Sequence, residues 1–335
     1  MATLDASVLI CTFNRAPLLG EALDSLAEIN PRSSRRWEVL IVDNNSTDGT
    51  RATVERRQAT FPVPLRYLFE REQGKSRALN SGIAACEGRT IVFGDDDQRF
   101  DRAWVDEACA ALDRDASIDY TGGPVEPLWD ASPPEWLDLR QPELLGPPGL
   151  FDYGDEPFVF EAAGRIAPGG NMAVRRSVFD DIGGFAVDLG RTGTSLLGQE
   201  QAEFFHRSRA AGIKGLYVPS MIVFHHVPPE RLTQHYFRRW WYWRGVSRAR
   251  FDTIHPRQDS VDLTQVPHLL GIPRYMVKRA LADGWRWAAT VARRDRIKRL
   301  VTELQLAYAA GYWRERHRKI DHGSPTKSLP ARSPC

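Results

Sequence analysis

Thr90-Ile91-Val92-Phe93-Gly94-Asp95-Asp96-Asp97 decides the reading of this chain. The first four residues form an apolar, β-branched run with strand character, and Gly94 leads it into three consecutive carboxylates. Adjacent carboxylates repel one another and cost stability unless a cation neutralises them. Oxygen-only ligands suit a hard ion such as Mg2+ or Mn2+. Such an ion commonly sits between one or two carboxylates and phosphate oxygens, so a diphosphate is the natural third party. An acidic surface turn is the plainer reading, and the flanking segments weigh against it.

Upstream, strand-like and helix-like stretches alternate. Residues 8–12 read as a strand, and 16–29 as a helix with Leu19, Ala22, Leu23 and Leu26 on one face. Strands at 37–42, 65–69 and 90–93 alternate with helices at 48–59, 76–85 and 104–113. This order predicts an α/β fold with a doubly wound, mostly parallel sheet. Ligands of such sheets lie at the carboxyl ends of the strands. The loops after the first, second and fourth strands are therefore where chemistry is expected.

Downstream the composition shifts. Residues 124–168 are rich in Pro, Gly and acids and read as an insertion or acceptor loop, with Trp129, Trp136 and Tyr153 as sugar platforms or as core. A strand is expected over 218–224, ending at His225-His226. Residues 231–251 and 273–318 read as basic, aromatic-rich helices. The expected organisation is a main domain over 1–228, a basic helical appendage over 229–322, and a disordered tail over 323–335.

The bulk numbers exclude several classes. The 335 residues are 42% hydrophobic and 26% charged, an ordinary globular composition. A net charge of +2 implies no global polyelectrolyte partner, and no nucleic-acid motif accompanies the C-terminal arginines. Cys11, Cys86, Cys109 and Cys335 make no metal or redox spacing, which fits a reducing, cytoplasmic compartment. No leader peptide and no spanning helix are expected.

The loops supply the remaining chemistry. Thr12-Phe13-Asn14-Arg15 follows the first strand, and Asp43-Asn44-Asn45-Ser46-Thr47-Asp48-Gly49 follows the second. Each feeds a helix whose free N–H groups suit a nucleotide, and Asp43 suits a base N–H. Simple helix capping would also explain Ser46 to Asp48. Gly74-Lys75-Ser76-Arg77 puts two cations at a helix start, where they oppose the helix dipole unless an anion neutralises them.

Taken in order, the strand ending Cys11-Thr12-Phe13-Asn14-Arg15, the Asp43–Gly49 loop, Gly74-Lys75-Ser76-Arg77-Ala78-Leu79-Asn80 and Gly94-Asp95-Asp96-Asp97 resemble family-2 glycosyltransferases of the GT-A fold. The resemblance continues through Gly169-Gly170-Asn171-Met172, Glu200 and His225-His226. It implies an inverting, nucleotide-sugar-dependent hexosyltransferase acting in cell-surface polysaccharide or glycolipid assembly, with a UDP-sugar favoured. It places Thr12, Asn14, Arg15, Asp43, Asn45, Lys75, Arg77, Asn80, Asp95 and Asp96 around the donor. Asp97, Asp95, His226 and His225 would hold Mg2+ or Mn2+, and Gly170, Asn171 and Glu203 would meet the sugar or acceptor. The family pattern near the base is Gly-Glu-Asp; here Gly198-Gln199-Glu200-Gln201 puts Gln201 at the Asp position and leaves Glu200 as the expected base.

Gln201 keeps open a non-catalytic nucleotide-sugar binding protein. A sugar nucleotidyltransferase would want a Gly-rich basic loop after the first strand, which Thr12-Phe13-Asn14-Arg15 is not. A glycan or lipid-linked acceptor would explain contact of the basic C-terminal helices with the cytoplasmic face of an inner membrane. Those helices could equally cap the sheet with a solvated basic face.

Overall fold

The structure, a computed structural model, describes residues 4–29, 35–193, 195–258 and 261–318, without the side chains of 162 and 163. The expected disordered tail lies outside the described residues. The central sheet has eight strands. β1 (Leu4–Thr12), β2 (Trp37–Asp43), β3 (Leu65–Phe69) and β4 (Gly88–Asp95) form its parallel half in the order β3-β2-β1-β4. Val8, Leu9, Ile10, Val39, Ile41 and Val92 are fully buried. Such continuous apolar runs are required where helices cover both faces of a parallel sheet.

One face carries α1 (Ala16–Ala27), α2 (Thr50–Gln58) and α4 (Trp104–Arg114), which contribute Leu19, Leu23, Val54, Trp104 and Val105 to a shared core. The other carries α3 (Lys75–Ala85), α6 (Arg176–Ile182) and α7 (Glu200–Ala210), which bury Leu79, Ile83, Phe179, Phe204 and Phe205. Beyond β4 the sheet continues through β9 (Asn171–Arg175), β6 (Tyr120–Gly122), β10 (Gly215–Tyr217) and β8 (Phe158–Val159), with β9 antiparallel to both neighbours. A second sheet joins β5 (Gln98–Phe100), β11 (Val223–Val227) and β7 (Val125–Trp129) in the order β5-β11-β7.

The strand expected over 218–224 is split. Pro219 lies in the turn between β10 and β11, where a missing N–H breaks the ladder, and the His pair falls inside β11 rather than after it. The 124–168 segment is not a free loop. β7 pairs with β11, and Leu137 and Leu144 of the segment, the latter on α5 (Pro142–Leu145), pack with Val227, Phe237, Leu300 and Leu304. Its aromatics join cores: Trp136 meets Phe237 edge-on at 5.0 Å, and Tyr153 meets Tyr217 at 5.6 Å.

The C-terminal helices are α8 (Gln234–Ile254), α9 (Arg274–Arg293) and α10 (Arg296–His317). The single helical run expected over 273–318 breaks at Arg294, whose φ of 56° is left-handed. α8 and α10 cross at two glycines. A Cβ on Gly245 would stand 2.0 Å from the Tyr308 carbonyl oxygen, and one on Gly311 would stand 1.9 Å from that of Tyr242. Only glycine permits that approach.

Candidate active site

Parallel pairing brings strand ends level: Thr12 lies beside Asp43, and Cys11 beside Asp95. The loops of β1, β2 and β4 therefore open on one edge. There the Thr12 hydroxyl donates to Asp96 at 2.8 Å. Arg15 Nη1 bridges Asp96 at 2.9 Å and Asp97 at 3.0 Å. Lys75 Nζ donates to Asp95 Oδ1 at 2.8 Å, across from α3. A Cβ on Gly170 would lie 2.3 Å from Asp95 Oδ2, so the Gly169-Gly170 turn presses backbone against this carboxylate.

The second sheet delivers the fourth side. β11 brings His225 Nε2 to 3.5 Å from Asp97 Oδ2, and Arg231 reaches both, with Nη1 2.9 Å from His225 Nε2 and Nη2 3.2 Å from Asp97. The three carboxylates are electrostatically distinct. Burial raises Asp95, but Lys75 outweighs it and holds the group below its usual value. Asp96 is pushed up to about 6, chiefly by burial, which Arg15 only partly offsets. Burial would also raise Asp97, yet its contacts with His225, Arg231 and Arg15 hold it well below the carboxylate range.

Glu200 stands at the start of α7. It is 9% exposed, and its Oε2 has no hydrogen-bond partner among the described residues. Burial raises its pKa; Lys75 and Arg191 pull the other way, while Asp95 adds to the rise. Gln201 turns away, its amide nitrogen donating to the Ala167 carbonyl, so it braces the turn before Gly169.

Several expected ligand residues are spent on structure. Strand side chains alternate, so only one histidine of the pair can face the carboxylates. His226 points the other way, with Nδ1 2.9 Å from Asp130 and Nε2 3.3 Å from Glu21. Asn171 is fully buried, accepting from Trp104 Nε1 at 2.8 Å and donating to the Pro124 and Met221 carbonyls at 2.7 Å each. Both amide hydrogens are engaged and the side chain is fully enclosed. Glu203 is committed to Arg207 at 2.8 Å and His255 at 3.0 Å. Asn80 clamps Phe185 through both backbone groups, and Arg77 pairs with Glu72 at 2.6 Å.

The nucleotide-side loops are linked to one another. Asn14 and Asn45 have left-handed φ values of 51° and 68°. The Asn14 side-chain Oδ1 accepts from Thr47 N at 2.7 Å, and Ser46 Oγ accepts from Asn14 N at 2.8 Å. Asp43 accepts from Ser46 N at 2.9 Å and from the Tyr67 hydroxyl at 2.7 Å. Arg231 and Tyr67, which contact Asp97 and Asp43, are neighbours of the candidate site that pattern reading missed. Arg231 carried no signal except a cation soon after a His-bearing strand.

The donor set can be tested for a divalent ion. Asp97 Oδ2 and His225 Nε2 stand 3.5 Å apart and offer an oxygen and an imidazole nitrogen, but the Arg231 guanidinium contacts both and has to move aside for an ion to take its place. Among the described residues no cluster of three or more His, Cys, Asp or Glu forms a metal cage. Two protein ligands suit an ion that completes its shell with diphosphate oxygens and water. Asp95, engaged by Lys75, lies near enough to feel the charges of both Asp97 and His225.

A nucleotide-fold sheet with a carboxylate triplet, facing cations and an isolated buried glutamate defines a sugar-transferring GT-A enzyme. The chain belongs to glycosyl transferase family 2, whose sequence model matches residues 7–183. Among curated relatives, the succinoglycan biosynthesis protein ExoM of Rhizobium meliloti is 27% identical over 232 residues, 68% of this chain and 69% of that one. Two others, each 33% identical, are matched over only 27% and 39% of their own lengths. Among solved structures, the mannosyltransferase PcManGT from Pyrobaculum calidifontis in complex with GDP-Man and Mn2+ aligns with a TM-score of 0.61 at 19% identity, covering 95% of this chain and 89% of that one. S. aureus TarS 1-349 in complex with UDP gives 0.50 at 17% identity, covering 93% and 91%. At such identities the structures attest the fold. No helix among the described residues is long and apolar enough to cross a membrane.

Proposed function

We propose that the chain transfers a sugar from a nucleoside-diphosphate donor, a UDP-sugar first, to an acceptor hydroxyl with inversion, in polysaccharide or glycolipid assembly. The observation that carries this reading is Glu200, a buried carboxylate whose Oε2 has no hydrogen-bond partner among the described residues and which feels the charges of Lys75 and Asp95. The acceptor oxygen attacks the anomeric carbon, the bond from that carbon to the phosphate oxygen breaks, and the acceptor proton passes to Glu200. A single displacement inverts the centre. A base is most effective when its pKa approaches the working pH, and burial moves Glu200 in that direction.

The leaving diphosphate gathers negative charge. Lys75, Arg15 and Arg231 surround the carboxylates and can meet it. Asp97 and His225 would hold Mn2+ or Mg2+, which supplies Lewis-acid neutralisation of the diphosphate when bound. The relatives support this setting: one is named for succinoglycan synthesis, and the two structures are named with GDP-Man plus Mn2+ and with UDP. The site-residue roles are part of the proposal.

The test is nucleoside diphosphate release from UDP-, GDP- and dTDP-sugars, with and without Mn2+, for wild type and Asp97→Asn. Metal-dependent release from one donor, lost in Asp97→Asn, is expected. Tight donor binding with no turnover under any acceptor would overturn it in favour of a nucleotide-sugar binding protein.

A further inference from the structure

We propose that the outward face of α9, with the hairpin tip before it, docks the chain on an anionic lipid surface. α9 has 20 residues and is about 30 Å long. Its inner side packs on the rest of the helical region through Met276 and through Asp283, its one acidic residue, which is 5% exposed and paired with Arg286 at 3.0 Å. The opposite side is apolar and faces solvent. Leu281, Trp285, Ala288 and Ala292 follow helical spacing on that side, and all four are exposed, Leu281 at 64% and Trp285 at 80%. At the N-terminal end, Leu270 of the hairpin formed by His268–Leu269 and Ile272–Pro273 adds a side chain 67% exposed.

Charge brackets this stripe. Arg274 and Lys278 stand at one end and Arg293, Arg294 and Arg296 at the other, none with an ion-pair partner among the described residues. An amphipathic helix with its apolar side outward, a tryptophan in that stripe, exposed cations and no exposed acid matches the chemistry of an acyl–headgroup boundary. Another copy of the chain would bring cations against cations. The sequence beyond residue 318 is itself basic, with Lys319, Lys327 and Arg332 against Asp321, and complements the stripe no better. This surface stands independently of the transfer reading, because membrane binding needs neither donor nor acceptor.

The experiment is flotation of the full chain with phosphatidylcholine vesicles and with vesicles containing phosphatidylglycerol, alongside sedimentation velocity without lipid. Binding to the anionic vesicles alone is expected, weakening with salt and by about fivefold for each cation removed, as in Lys278→Gln or Arg293→Gln. The double variant L281E/W285E should lose binding at least tenfold while keeping its melting temperature, since both side chains are exposed. Absence of flotation for the wild type, or undiminished flotation of the folded double variant, would overturn the proposal. So would lipid-free self-association that the double variant disperses, which would assign the face to another copy of the chain.

Discussion

Replacing Glu200 with Gln removes a charge without removing a hydrogen bond, because Oε2 has no partner among the described residues. The fold should therefore keep its packing, and the loss should fall on proton transfer. Positioned general bases contribute about 10²–10⁴-fold, or about 3–5 kcal/mol of barrier. Transfer to an acceptor should drop by that factor while donor affinity, read by calorimetry, stays within about threefold of wild type. The stability arm has the opposite sign. The folded pKa of Glu200 lies above its ordinary value of 4.5, so the unfolded chain ionises first as pH rises. Stability is then lost from pH 4.5 upward until the folded group ionises, and Gln escapes that loss. Glu200→Gln should melt above wild type at pH 8, and the gap should close below pH 4.5. A variant that transfers sugar at more than a third of the wild-type rate would refute Glu200 as base. Parallel loss of donor binding and rate would make it a binding residue instead.

Other substitutions separate ligand contacts from structural ones. His225→Ala should abolish Mn2+ stimulation of diphosphate release, whereas His226→Ala should retain it, because only His225 faces Asp97; metal titrations of both variants decide the point. Gly170→Ala should leave the melting temperature within a few degrees but lower turnover more than about tenfold, since its Cβ would displace Asp95 from Lys75. Asn171→Ala should cost about 3 kcal/mol in urea unfolding, as three buried hydrogen bonds disappear. An Asn171→Ala protein as stable as wild type would refute that account.

The parallel half of the sheet was legible because its strands are continuous apolar runs and its helices keep one apolar face. The carboxylate triplet was legible for a different reason: its members are contiguous, so no tertiary information was needed to bring them together. Elsewhere the sequence is ambiguous in ways that only pairing resolves. The His pair gives two candidates, and strand alternation admits one. Asn171 follows two glycines like a loop ligand, yet it opposes Gly94 in the β4–β9 ladder and is enclosed by Trp104, Pro124 and Met221. Glu203 carries the spacing of a helix-surface ion pair with Arg207, and that local pairing is the role it takes, with His255 added from α8's C-terminal end. Arg231 depends on a short turn after β11, whose path no periodicity encodes. The Pro-rich 124–168 segment hid β7 because a strand of five residues holding Pro127 looks like a loop.

The paired glycines of α8 and α10 have a mechanical consequence. Side chains between packed helices ordinarily act as a compliant layer that absorbs small displacements by changing rotamer. Here that layer is missing at the crossing, and one backbone rests on the other. Load applied to α10 passes to α8 undamped. Six residues, Pro228 to Thr233, separate α8 from the end of β11, and Arg231 is among them. The C-terminal helices are thus coupled stiffly to a cation that touches Asp97, and a bulky residue at either glycine would decouple the two ends of the molecule.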